Sequence, residues 1–132
     1  MASSGVPFLE SLDAMIALKK EGKIRHLALS TVGVGHLEEA LARTPIVAVQ
    51  NMFNVSGGGG AFAKMTHSEV DDPEGVLDFC TKRKIAYLPY FPLAVGNVGR
   101  DKPVLAAIAE KHRATPAQIA LAWLLARSPV IL

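Results

Sequence analysis

The chain has 132 residues, half of them hydrophobic, with 14 basic against 12 acidic side chains. So apolar a composition at a net charge of +2 excludes an intrinsically disordered chain and leaves no broad basic face for nucleic acid. One cysteine, Cys80, excludes an internal disulfide framework, and the scattered His26, His36, His67 and His112 give no metal-ligand spacing, so a reducing, cytoplasmic setting without a metal is expected.

Residues 7–20 carry Phe8, Leu12, Met15 and Ile16 at helical spacing, with charges opposite and Gly22 as a stop, and this predicts a surface helix. Residues 24–30 (IRHLALS) predict a strand buried on both faces, with His26 packed inside it. Residues 36–43 predict a helix with Glu38 and Glu39 on its exposed first turn, and 45–51 (PIVAVQN) a second buried strand. The glycine-rich loop 55–72, with SGGGGAF at 56–62, has few side chains to fix its backbone and is expected to be mobile or closely approached. Asp72-Pro73 starts a helix whose inward stripe is Val76, Leu77, Phe79 and Cys80, followed by a third strand at 85–90 (IAYLPY). A helix runs from Pro103 through His112. Thr115-Pro116-Ala117-Gln118 has the residue types of a capping box. The largely apolar helix behind it is expected to be buried on more than one side, and 128–132 (SPVIL) to begin a fourth strand. No run can span a bilayer, and the N-terminus lacks the basic and apolar segments of a secretory signal.

Helices alternating with short apolar strands predict an α/β chain of parallel β/α units. Ser30-Thr31, Gln50-Asn51 and Tyr90 fall at the C-terminal ends of the strands, the edge where such folds bind ligands. The segments GKIRHLALS, PIVAVQNMFN, AYLPYFPLA and ATPAQIALAWLLARSPVIL resemble the second half of the aldo-keto reductases, NAD(P)H-dependent (β/α)8 barrel reductases of aldehydes and ketones. The resemblance covers nearly all of the chain outside the glycine-rich loop. It implies a single partial domain over 1–132, half of a TIM-type barrel comprising strands five to eight.

By that resemblance Ser30 and Gln50 hold the nicotinamide carboxamide of NADP or NAD, and Tyr90 stacks on the nicotinamide ring. Pro92-Leu93 form the turn whose backbone approaches the pyrophosphate. Thr31 stands where the family has asparagine, and Phe91 where serine is common; both belong to the same cofactor side. The family's Asp, Tyr, Lys and His tetrad would lie before Met1, and its phosphate-gripping loop beyond Leu132. No catalytic residue is therefore assigned, and the expectation is no carbonyl reduction by this chain alone.

Other candidates carry less. Lys82 and Lys84 lie close to Tyr87 in sequence, but cations at a helix end, like His112, are explained by the helix dipole. Gly33-Val34-Gly35 begins a dinucleotide fingerprint that Glu38 breaks, and the glycine run precedes no Lys-Ser/Thr helix start. The two function classes are thus part of an NAD(P)H-dependent reductase, and a non-catalytic half-barrel that forms a homo-oligomer or pairs with a complementary half. Neither involves nucleic acid or membrane.

Overall fold

The elements run α1 (Phe8–Lys20), β1 (Leu27–Ser30), α2 (Val34–Leu41), β2 (Ile46–Met52), α3 (Pro73–Arg83), β3 (Ala86–Tyr90), α4 (Pro103–Lys111) and α5 (Pro116–Arg127) in a computed structural model. It describes residues 5–57, 64, 70–94 and 103–132, so most of the glycine-rich loop at 55–72 lies outside the described residues.

Local chemistry fixes the helix ends. Gly22 closes α1 at φ +76°, a left-handed conformation that glycine adopts without steric cost, while Lys23 N donates to Leu18 O at 3.0 Å. At the start of α3 the Asp72 carboxylate accepts from Gly75 N at 2.8 Å. A Cβ at Gly75 would lie 2.0 Å from Asp72 Oδ2, so glycine leaves the room that this cap needs. The capping box of α5 forms as expected: Gln118 N donates to Thr115 Oγ1 at 3.2 Å, and Thr115 N to Gln118 Oε1 at 2.8 Å.

The three strands are parallel in the order β1-β2-β3, so β2 is central. Register places Leu29, Val49 and Tyr87 in one row across the sheet, and Ser30, Gln50 and Leu88 in the next. Successive strand residues face opposite sides, so these two rows lie on opposite faces. The Leu29 row is buried with Leu12, Leu37, Ala40, Val76, Leu77, Cys80 and Leu124, which makes it the face covered by helices. The other face leaves Ala28, Ser30 and Gln50 exposed.

Several expectations are corrected. β1 begins at Leu27, three residues later than predicted, and alternates buried and exposed rather than being buried on both faces, because no described element covers its second face. His26 lies just before that strand and is exposed, not packed. α2 starts at Val34 and takes in Gly35. α5 buries only Ala120 and Leu124, leaving Leu121 and Leu125 42% and 63% exposed. Residues 128–132 form no strand. They make a single parallel bridge, Tyr87 with Ile131, in which Tyr87 N donates to Val130 O at 2.8 Å and Leu132 N to Tyr87 O at 3.0 Å. That bridge lies on the edge of β3 away from β2, with no ladder beyond it among the described residues.

The accessible surface is 8259 Å². A compact chain of this mass would show roughly 6,700 Å². Large apolar side chains contribute to that surface, among them Met15, Val47, Val104, Leu121 and Leu125. Among the described residues no helix is long and apolar enough to cross a membrane, and no group of three or more His, Cys, Asp or Glu side chains could hold a metal ion.

Candidate functional site at the C-terminal edge of the sheet

The residues singled out in the sequence converge on the C-terminal edge and inner face of the sheet. Ser30 ends β1 and is the register partner of Gln50 on β2, so their backbones are about 4.8 Å apart and both side chains rise from the same face. Tyr90, the last residue of β3, is the register partner of Met52 and lies two positions beyond Leu88, on that same face. Thr31 Oγ1 lies 3.5 Å from both Ser30 Oγ and Tyr90 OH, the outer limit of a hydrogen bond, so these hydroxyls are neighbours rather than a tight network. Beyond Tyr90, Phe91 packs edge-on against its ring at 5.5 Å. Leu93 and Ala94 are anchored on Leu105 and Ala120, with Val55 and Ile119 alongside. The half-buried Pro92-Leu93 turn is therefore held by the α4 and α5 helices.

Two cavities flank Thr31. One, of about 310 Å³, lies between β1 and α1 and is lined by Phe8, Leu12, Met15, Leu27, Leu29 and Ser30. The other, of about 590 Å³, is lined by Gly33, Val34, His36, Glu39, Asp71 and Asp72 at the starts of α2 and α3.

The backbone at this edge is strained. Thr31, Phe91 and Ala94 have φ of 57°, 52° and 47°, and side chains in such wells cost on the order of 1–3 kcal/mol each. A β-branched residue is the least suited to a left-handed φ, and asparagine is among the best tolerated. Thr31→Asn is therefore expected to raise stability by about 1 kcal/mol, seen as a melting temperature higher by roughly 3–5 °C. A lower melting temperature would show that the long threonine contacts outweigh the strain.

Two asparagines do work at the site that the sequence did not assign to them, although Asn51 was placed with Gln50 at a strand end. Asn51, fully buried, accepts from Val32 N through Oδ1 at 3.1 Å and donates to Val32 O through Nδ2 at 2.8 Å. Asn54, 2% exposed, donates to Phe91 O at 3.1 Å and accepts from Ser56 N at 2.9 Å. For Asn54 the only hint was a second amide in the otherwise apolar run NMFN.

Other candidates fall elsewhere. Tyr87 lies on the helix-covered face with its hydroxyl buried and unpartnered, and burial, then the nearby Cys80, Glu74 and Tyr90, push its pKa well above the ordinary phenol range. It stays protonated and out of reach of the inner face. Lys82 and Lys84 are exposed where α3 ends before β3, at the opposite edge of the sheet from Tyr90, and His112 is exposed just past α4.

The sequence model of the Aldo/keto reductase family matches residues 3–132. An uncharacterized oxidoreductase of Schizosaccharomyces pombe is 37% identical over 127 residues, covering 96% of this chain and 37% of that protein. The pyridoxine 4-dehydrogenase of Escherichia coli is 35% identical over 122 residues, covering 92% of this chain and 38% of that enzyme. Among solved structures, a thermostable aldo-keto reductase in complex with the inhibitor epalrestat superposes with a TM-score of 0.73 at 33% identity, over 98% of this chain and 44% of that one. An aldo-keto reductase from Klebsiella pneumoniae in complex with NADPH gives 0.69 at 27% identity, over 96% and 43%. The chain thus spans well under half the length of these relatives.

Proposed function

The chain belongs to the aldo/keto reductase family, and from that premise we propose that it forms the nicotinamide side of an NAD(P)H-dependent carbonyl reductase. The observation that carries this reading is the pairing of Ser30 with Gln50 on the open inner face of the sheet, with Tyr90 on the same face of β3. A carboxamide presents one acceptor oxygen and one NH2 donor. A hydroxyl beside a side-chain amide offers the complementary set, so these residues fit the group. The bound cofactor would supply the hydride. Ser30 and Gln50 orient the carboxamide, Tyr90 covers one face of the ring and keeps water from it, and the Pro92-Leu93 turn meets the pyrophosphate. The likeness to a relative solved with NADPH supports this assignment. In this reading the proton donor to the carbonyl oxygen comes from the complementary part of the barrel, and the chain by itself reduces no carbonyl. A reducing, cytoplasmic compartment suits the buried, unpaired Cys80.

Titration with NADPH, followed through Trp123 fluorescence or calorimetric heat, is expected to show weak binding. Ser30→Ala and Gln50→Ala should each weaken it by about three- to tenfold, the worth of one hydrogen bond. No binding at millimolar cofactor would overturn the reading.

A second reading, a non-catalytic half-barrel that self-associates or pairs with a complementary half, rests on the edge of β1. Among the described residues that strand pairs only with β2, and its other side opens on the apolar cavity against α1. Light scattering that shows a well-folded monomer at micromolar concentration would remove it.

A further inference from the structure

Both strained turns at the sheet edge are tied to the central strand by buried amides. The first follows β1. Thr31 N donates to Gln50 O at 3.0 Å, and the next residue, Val32, has both its backbone N–H and its C=O taken up by the Asn51 side chain. The second follows β3. Phe53 N donates to Tyr90 O at 3.4 Å, and the Asn54 amide donates to Phe91 O while holding Ser56 N on its other side. One run at the end of β2, QNMFN at 50–54, therefore places Gln50 on the inner face and uses Asn51 and Asn54 to grip the turn on each flank. Unfavourable φ values persist only where the surroundings over-determine them. Thr31 is followed at once by a gripped residue, and Phe91 has its own carbonyl gripped.

We propose that Asn51 and Asn54 are positioning residues for the nicotinamide side: they lock the Thr31 and Phe91 turns in left-handed conformations, and so fix how Ser30 and Tyr90 present their side chains. This rests on the cofactor reading above. Neither asparagine needs to touch the cofactor. Each amide spends a donor and an acceptor on backbone groups, and alanine at either position leaves those groups without that partner.

The test is a pair of measurements on the whole chain. In NMR spectra of the isotope-labelled protein, Thr31 and Phe91 show the strong intraresidue amide-to-Hα contact of positive φ, and the Val32 and Ser56 amides exchange slowly. Asn54→Ala abolishes the Phe91 signature and accelerates exchange at Ser56; Asn51→Ala does the same for Thr31 and Val32. NADPH affinity falls by about tenfold in each, about the worth of one orienting hydrogen bond lost when Ser30 or Tyr90 is displaced. Ser30→Ala serves as the contrast, because it weakens binding and leaves both turn signatures intact. Should Asn51→Ala fail to fold, Asn54→Ala at the edge of the core carries the test by the same two readouts. Positive φ retained in the alanine variants overturns the proposal, as does relaxation of the turns with NADPH affinity unchanged. Absence of NADPH binding by the parent chain defeats the cofactor reading and this inference together, and it is told apart because it shows before any substitution is made.

Discussion

Phe53→Ala is expected to lower stability by about 3–5 kcal/mol, the range for removing a buried aromatic ring from a packed core. The ring is 3% exposed, stacks on Trp123 with centroids 5.8 Å apart at 19°, and meets Tyr87 edge-on at 6.0 Å and 85°. It is the point at which β2, β3 and α5 lock together, so little around it can collapse into the space. Small domains are stable by only about 5–15 kcal/mol in total, and a chain with one open sheet face is expected near the lower end. The loss therefore brings the variant close to its unfolding midpoint at room temperature. Phe53→Leu, which keeps most of the volume, should cost under about 1.5 kcal/mol. Urea unfolding followed by Trp123 fluorescence measures both. A loss under about 1 kcal/mol for the alanine variant would mean that the ring is not packed as described. Because Phe53 also donates its N–H to Tyr90 O, its position couples the core to the candidate site.

The parallel β/α order, the capping box at Thr115 and the Asp72 cap were legible because each depends on a few adjacent residues. Ser30, Gln50 and Tyr90 were legible as strand-end polar residues, and the resemblance sorted them into one site. What the sequence concealed was relational. His26 and the second face of β1 look like core by composition, and become exposed because what would cover them is not among the described elements. Leu121 and Leu125 read as buried for the same reason. The work of Asn51 and Asn54 depends on turns about 20 and 37 residues away in sequence, which no local pattern can show. Thr31 was visible as a departure from the family's asparagine. Its left-handed backbone supplies the physical reason that asparagine suits the position.

Raising the pH from 8 to 11 is expected to destabilise the fold steeply. Burial pushes the Cys80 thiol from 9.0 up to about 11, and Tyr87 is held above the ordinary phenol value of 10.0 by burial first and by neighbouring negative charge second. Both groups are neutral when protonated, and the folded state favours that form. Below about pH 9 folded and unfolded chains alike keep these protons, so the contribution is fully present. Between pH 9 and 11 the unfolded chain releases the thiol proton while the folded chain retains it, and stability falls by up to about 1.4 kcal/mol per pH unit. The thiol alone accounts for a loss of about 2–3 kcal/mol, complete as pH passes the folded value. Tyr87 begins to add to it above about pH 10. Because the Tyr87 hydroxyl is buried without a partner, Tyr87→Phe removes no hydrogen bond and is expected to be neutral or stabilising by about 1 kcal/mol at pH 7. Combined with Cys80→Ala, it should flatten the fall of the urea midpoint between pH 9 and 11. Equal slopes for parent and double variant would show that Cys80 and Tyr87 do not carry the alkaline loss.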